Sequence, residues 1–146
     1  MELDPEKSIT FTTESRLENV SLVGVAIKAI CESIQLAETL SYNIELSVVE
    51  GVTNVIKHAY GLQQGNNVEI TVLIFGDRVT IKISDTGKGM DPQRREDCRG
   101  MDFESGDSKT LPVGGMGLHI MRSVMDEMYY ETNSGKNIMT LVKRFK

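Results

Sequence analysis

Glu50 and Asn54 are the first residues whose types and spacing suggest chemistry. They lie in the run from Asn43 to Tyr60 and are one helical turn apart, so in a helix their side chains would project side by side. A neighbouring carboxylate and amide can together hold a metal ion and activate a hydroxyl group. The alternative interpretation of this stretch alone is the solvated face of an ordinary amphipathic helix.

A second candidate is the segment Asp85-Thr-Gly-Lys-Gly, which follows a β-branched run. Gly87 and Gly89 allow the backbone to turn sharply and let a planar ligand approach it closely. The Asp85 carboxylate can accept hydrogen bonds from an exocyclic amino group, which makes adenine a reasonable ligand. The same pattern is also typical of a polar turn after a strand.

A third candidate is the segment from Gly114 to Leu118, which reads Gly-Gly-Met-Gly-Leu and opens directly into a helical pattern. Backbone amides at a helix start, unobstructed by side chains, form a site for phosphate. A flexible hinge before a helix is the competing interpretation. The segment is neither a P-loop, because no Lys-Ser/Thr follows the glycines, nor a dinucleotide fingerprint, because no strand leads into it.

The elements that must position these segments follow from the periodicity of apolar residues. A strand is predicted at Ser8–Thr12, a helix from about Ser15 to Leu36, and a second helix that begins with Ser41 or Asn43 as its N-cap and stops near Tyr60-Gly61. In the second helix, Ile44, Val48, Val52, Val55 and Ala59 form the predicted core stripe, opposite a polar stripe of Asn43, Ser47, Glu50, Asn54 and Lys57. The remaining predictions are a hairpin (Val68–Phe75 and Val79–Ser84), a long loop from Asp85 to Gly115, a helix (Leu118–Glu127) and a closing hairpin (Tyr129–Thr132 and Asn137–Phe145). This order predicts an α+β fold, a two-layer sandwich in which a mixed, mostly antiparallel sheet carries helices on one face.

Composition limits the classes of function. The chain has 146 residues, so we expect a single domain spanning residues 1–146. A net charge of -5 argues against binding to nucleic acid or to an anionic membrane, and the absence of Trp argues further against a surface on which bases stack. Cys31 and Cys98 show neither metal-ligand spacing nor a disulfide framework. With no signal peptide or transmembrane run in the sequence, we expect a cytoplasmic protein.

Taken together in chain order, the three segments resemble the boxes of the Bergerat-fold ATPases, the superfamily of gyrase, Hsp90, sensor histidine kinases and mismatch-repair ATPases. The stretch from Glu50 to Tyr60 resembles the N box, Asp85–Gly89 the first glycine box and Gly114–Gly117 the second. Within the superfamily, the chain is most similar to the small anti-sigma-factor serine kinases, which are single domains of this size. The sensor histidine kinase interpretation is weaker, because no upstream helical hairpin carries a phosphoacceptor histidine.

The resemblance implies ATP and Mg²⁺ as cofactors and a role for each residue. Asn54 would bind Mg²⁺, Glu50 would be the catalytic base for an attacking serine or threonine hydroxyl, and Asp85 would read the adenine amino group. The remaining nucleotide-binding residues would be Gly87 and Gly89 at the base and Gly115, Met116, Gly117 and Leu118 along the phosphates. Residues 94–111 would form a lid over the triphosphate, with Arg99 and Lys109 as cations that could reach it.

The resemblance also implies partners. The protein would be a serine/threonine protein kinase and an anti-sigma factor that phosphorylates a STAS-type antagonist, sequesters a sigma factor and forms a homodimer. The alternative is a nucleotide-dependent binding module with little or no kinase activity. One departure is clear: many relatives have Gly-Thr just after the last turn, whereas this chain has Asn137-Ile138, with Thr140 two residues later. Thr140 is therefore left out of the predicted site.

Overall fold

The computed structural model describes residues 4–90 and 116–146, which form one five-stranded sheet with α-helices packed against it. The strand order is β1-β2-β3-β5-β4, and all four pairings between neighbouring strands are antiparallel. The predicted order of strands and helices is confirmed for these residues, and most of the predicted loop from Asp85 to Gly115 lies outside them. The elements are β1 (Lys7–Glu14), α1 (Val20–Ser33), α2 (Glu38–Asn54), β2 (Asn67–Ile74), β3 (Arg78–Asp85), α3 (Met116–Val124), β4 (Glu127–Asn133) and β5 (Lys136–Arg144).

The sheet forms because β2 and β3 alternate apolar and polar residues. In β2, Val68, Ile70 and Val72 are at most 2% exposed, and the residues between them are more exposed. Ile81 and Ile83 of β3 continue the same buried face. An alternation of period two places these side chains on one side of the sheet, where the helices cover them. The hydrophobic core therefore lies between this face and the helices.

The second helix begins earlier than its cap signals predicted. It starts at Glu38, with Ala37 at the N-cap position and no side-chain capping bond, so the prediction of Ser41 or Asn43 as the N-cap is wrong. Ser41 instead lies in the first helical turn, where its backbone N–H donates to Ala37 O (3.0 Å) and its side chain is buried. Packing of α2 against α1 outweighs the local preference of serine for a helix start.

The core stripe of α2 is confirmed at Ile44, Val48 and Val52, which are 0% exposed, whereas Val55 and Ala59 are only half-buried. Ser47, assigned to the polar stripe, is also 0% exposed, so that assignment is wrong. The helix α2 packs against α1 and α3 as well as against the sheet. Its central part is therefore buried on more than one side.

Among residues 4–90 and 116–146, no helix combines the length and apolarity needed to cross a lipid bilayer.

Candidate functional site

A cavity of about 180 Å³ lies where the C-terminal end of α2 meets the end of β3. We call it the Asn54–Asp85 cavity, after two polar residues of its wall, one at the end of α2 and the other at the end of β3. The apolar part of its wall would suit a planar base, and its few polar groups could orient one. Its lining residues are Gly51, Asn54, Val55, His58, Ala59, Ile83, Asp85, Lys88, Gly89, Met90, Tyr130 and Met139.

Asp85 ends β3 and is 5% exposed. Its Oδ1 accepts hydrogen bonds from the backbone N–H of Gly87 (2.9 Å) and from Nδ2 of Asn137 (2.8 Å). Burial raises the pKa of the Asp85 carboxyl above its ordinary value, and the bonds from Asn137 and Gly87 partly oppose this shift. The carboxylate is therefore held in a fixed orientation in a weakly solvated place, as a group that reads a ligand must be.

The two glycines after Asp85 are needed for different structural reasons. A Cβ at position 87 would lie 2.4 Å from Ala59 O, so only glycine lets this loop approach the end of the second helical segment. A hydrogen bond from Lys88 N–H to Ala59 O (2.8 Å) holds the loop against the helix end. A Cβ at position 89 would lie 3.2 Å from Oδ1 of Asn137. Gly89 lines the cavity, whereas Gly87 packs against the helix end.

Beyond α2, the helix changes character. Residues Val55–Ala59 form a π-helical turn, in which Tyr60 N–H donates to Val55 O (3.0 Å) across five residues. Such turns within helices are frequent at functional sites. The π-turn places Val55, His58 and Ala59 on the cavity wall. Ile56, the residue after Val55, is 1% exposed and packs in the core.

Asn54 lies at the junction of α2 and the π-turn and lines the cavity. Its Nδ2 is buried and has no hydrogen-bond partner among the described residues. A buried amide without a partner is costly, so its presence on a cavity wall indicates a ligand that would satisfy it. The amide fits an Mg²⁺–phosphate group, since its oxygen is a suitable metal ligand and its nitrogen can donate to a phosphate oxygen.

Tyr60 fixes the loop before the glycines. Its hydroxyl donates to Asn67 O (2.6 Å) and accepts from the Thr86 N–H (3.0 Å), and the residue is 7% exposed. One side chain thus connects the end of the π-turn to the start of β2 and to the residue after Asp85. Tyr130, from β4, holds the other end of the loop, where its hydroxyl accepts from Met90 N–H (3.0 Å).

The other predicted site residues have the following positions. Glu50 is half-buried on α2, one turn before Asn54, and its side chain is not on the described wall of the cavity. Met116 and Gly117 form the first turn of α3, and the Leu118 side chain is 1% exposed in the core, so its contact with a nucleotide would be through its backbone. Gly115 and the predicted lid, with Arg99 and Lys109, lie outside the described residues.

Residues 13–143 match the sequence model of the histidine kinase-like ATPase domain. The chain belongs to this family. The membership covers all three segments and confirms the superfamily that the N box and the two glycine boxes indicated. The α+β fold class predicted from the order of elements is also confirmed, with a sheet that is antiparallel throughout the described residues.

Individual comparisons agree with this membership. The chain is 26% identical over 125 residues to the serine-protein kinase RsbW of Listeria monocytogenes, covering 84% of this chain and 80% of that relative. It has the fold of two solved structures: the RsbU and RsbW domains of a Mycobacterium tuberculosis protein (TM-score 0.67, 15% identity, 96% of this chain) and the SiaB–SiaC complex of Pseudomonas aeruginosa (TM-score 0.68, 10% identity, covering 94% of this chain and 89% of that one). The chain spans only 33% of the Mycobacterium chain. The relatives named as serine-protein kinases are of the kind that the closer resemblance predicted.

One residue of this ATPase domain was missed as a part of the site. Asn137 was noted only as a departure from Gly-Thr, yet it is 2% exposed and bonded to Asp85. Thr140, by contrast, lies on the other face of the sheet, where it is the cross-strand neighbour of Lys82 in β3. The available signal was the alternation of β5, which places Asn137 and Met139 on the helix-covered face and Thr140 on the opposite one.

Proposed function

We propose that this protein is an ATP-dependent serine/threonine protein kinase that acts as an anti-sigma factor. The observation that carries the proposal is one cavity whose wall contains both the Asn54 amide, which has no partner among the described residues, and the buried Asp85 carboxylate. The names of the relatives support the kinase class, because they are serine-protein kinases at 26% identity over most of both chains. The fold itself is shared with ATPases of other functions, so the site rather than the fold supports the chemistry.

In this proposal the nucleotide lies with its base near Asp85 and its phosphates near Asn54. The Asp85 carboxylate accepts a hydrogen bond from the adenine amino group, which guanine lacks at that position. Asn54 would hold Mg²⁺ through its amide oxygen, and a bound ion would supply positive charge to the triphosphate. The glycines at positions 115 and 117 and the backbone at Met116 and Leu118 would line the phosphates, beneath a lid formed by residues 94–111.

Glu50 is proposed as the catalytic base. It would take the proton of a serine or threonine hydroxyl as the oxygen of that hydroxyl forms its bond to the γ-phosphorus and the bond to the β-phosphate oxygen breaks, releasing ADP. Its place one turn before Asn54 puts a carboxylate beside the proposed metal ligand. A binding module without catalysis has no need for a carboxylate there, which favours a kinase.

The proposed substrate is a STAS-type antagonist, and the proposed second partner is a sigma factor. Both come from the resemblance to anti-sigma-factor kinases, as do the homodimer and the cytoplasmic location. The edge strand β1 is consistent with assembly, since within the described part of the chain it pairs with β2 alone and most of its residues are exposed. The alternative function remains a nucleotide-dependent binding module with little or no phosphoryl transfer.

Two substitutions on the same helix distinguish these functions. Glu50→Gln removes the proton acceptor and keeps the shape, so it should leave Mg·ATP affinity nearly unchanged and slow phosphoryl transfer by about 10²–10⁴-fold. Asn54→Ala should weaken nucleotide binding and transfer together, because the proposed metal ligand acts in both bound and reacting states. The assays are calorimetry with Mg·ATP and transfer of labelled γ-phosphate to a co-purified antagonist.

The results of these assays distinguish a kinase from a binding module. Transfer at the wild-type rate by Glu50→Gln would remove Glu50 from catalysis. A wild-type protein that binds ATP and a sigma factor but transfers no phosphate would support the binding module instead. Both side chains are only half-buried, so melting curves of the two variants should stay close to that of the wild type and exclude unfolding as the cause.

A further inference from the structure

A row of hydrogen-bonded side chains lies behind the Asn54–Asp85 cavity. Thr132 Oγ1 donates to Oδ1 of Asn137 (2.8 Å), and Nδ2 of Asn137 donates both to Oδ1 of Asp85 (2.8 Å) and to Gly87 O (3.0 Å). Thr132, Asn137 and Asp85 lie directly opposite one another on three neighbouring strands, β4, β5 and β3. The antiparallel register of the sheet therefore fixes the row, because directly paired residues are the closest neighbours across strands.

The Asn137 amide has only one orientation that satisfies this row. Its nitrogen faces two acceptors, the Asp85 carboxylate and the Gly87 carbonyl, while its oxygen faces the Thr132 hydroxyl. Rotating the amide by half a turn would place its oxygen against a carboxylate and a carbonyl. The residue is 2% exposed and is not on the described wall of the cavity, so we expect it to act on a ligand through Asp85 and not by direct contact.

The consequence for Asp85 is that its two oxygens are no longer equivalent. Both described donors, Gly87 N–H and Asn137 Nδ2, bind Oδ1. Since Asp85 lines the cavity, Oδ2 is the oxygen that can receive a hydrogen bond from a ligand. The bond from Asn137 also opposes the rise in the Asp85 pKa that burial causes, and so it favours the ionised form, which only accepts.

We propose that Asn137 is a positioning residue for base specificity, which aims Asp85 Oδ2 at the exocyclic amino group of a bound adenine nucleotide. This inference rests on the proposed function, since it requires that the cavity bind such a nucleotide. It assigns to Asn137 no contact with the ligand. Its effect is transmitted through Asp85 and is specific to the amino group that Asp85 reads.

The test compares two ligands that differ only in that amino group. ADP and purine riboside 5′-diphosphate, which lacks the 6-amino group, are titrated by calorimetry into the wild-type chain and into Asn137→Ala. The wild type should prefer ADP by about tenfold or more, the ratio expected for one well-aligned polar contact in a buried site. In Asn137→Ala this preference should fall to within about two- to threefold, with little change in affinity for the analogue.

Two further variants keep the test valid if Asn137→Ala folds poorly. Thr132→Val removes the donor that orients the amide without altering Asp85 or Asn137, and it should reduce the preference for ADP partially. Thr140→Val is the matched control, because Thr140 lies on β5 as Asn137 does but on the opposite face of the sheet, and it should keep the wild-type ratio.

Each alternative outcome is distinct. Equal losses of affinity for both ligands in Asn137→Ala and Thr132→Val would mean that the row only supports the fold, and would overturn the proposal. An unchanged ratio in both variants would also overturn it. If the wild type binds the two ligands equally, Asp85 does not read the amino group; if it binds neither, the proposed nucleotide function itself fails.

Discussion

Gly87→Ala is the substitution for which the structure predicts the clearest cost. The added Cβ would lie 2.4 Å from the oxygen and 2.7 Å from the carbon of the Ala59 carbonyl, and 2.8 Å from Cδ1 of Tyr60. Two of these three atoms belong to the backbone of the π-turn, which cannot rotate away as a side chain can. The loop must therefore move back from the helix end, and the bond from Lys88 N–H to Ala59 O (2.8 Å) must lengthen or break.

The size of the effect follows from two contributions. Forcing an extra carbon into a packed contact costs about 1–3 kcal/mol. Losing one hydrogen bond adds about 0.5–1.5 kcal/mol. We therefore expect the free energy of unfolding to fall by about 2–4 kcal/mol, a large part of the stability of a typical domain. For a chain of this length, this corresponds to a drop in melting temperature of about 5–15 °C.

The assay is thermal unfolding followed by circular dichroism, with two other glycine variants as controls. In Gly89→Ala the new carbon would lie 3.2 Å from Oδ1 of Asn137, a tight contact with a side-chain atom, so the loss should be smaller. In Gly76→Ala the nearest atom is a carboxylate oxygen of Glu6 at 3.3 Å, and the effect should be close to zero. A Gly87→Ala melting temperature within about 2 °C of that of Gly76→Ala would refute this reasoning.

Three further predictions concern buried polar groups. Tyr60→Phe leaves the Thr86 N–H without its acceptor and should cost about 1–3 kcal/mol of unfolding free energy in urea titrations, with an unchanged midpoint counting against it. Burial raises the pKa of the Cys31 thiol to about 11. In a Cys98→Ser background, iodoacetamide should therefore label Cys31 slowly at pH 8 and rapidly only in denaturant. Fast labelling of the folded chain would contradict the burial of Cys31. Because the pKa of Asp85 is raised by folding, its protonated form favours folding, and this contribution is lost as pH rises through the folded-state pKa. Asp85→Asn should accordingly melt at or above the wild-type temperature at pH 7, with the gain vanishing below pH 4, while it loses adenine nucleotide affinity; a lower melting temperature at pH 7 would show that the charged hydrogen bonds dominate.

The fold could be predicted largely because its strands carry their own signals. The alternation in β2 and β3 and the turn between them involve residues close together in the chain, which local patterns describe well. The start of α2 could not be predicted from cap residues, since the position of Ser41 is decided by packing against α1. The burial of Ser47 could not be predicted either, since α2 packs against two helices, one of which begins at Met116, far along the chain.

The candidate site also combines residues that local sequence patterns identify with residues that only the folded sheet brings together. Asp85, Gly87 and Gly89 are recognisable because the loop needs them within five residues of one another. Asn137 was not recognised because its role exists only across the sheet, through a register that brings together residues 52 positions apart. The alternation of β5 indicates the face of the sheet on which Asn137 lies, but not the residue of another strand that its amide contacts. Such contacts between distant strands are the part of a site that single-sequence patterns leave out.

The π-turn at Val55–Ala59 has a consequence for the tolerance of this region to changes in length. A π-turn holds one more residue per hydrogen-bonded ring than an α-helix, and each residue of a helix advances by about 100° around its axis. Deleting one residue after Asn54 would restore regular helix and rotate the Ala59 carbonyl about a quarter of a turn away from Lys88 N–H. The number of residues between Asn54 and Ala59 should therefore be constrained more strictly than their identities, and substitution libraries across this segment should recover many side chains, whereas single-codon deletions should recover none that bind nucleotide.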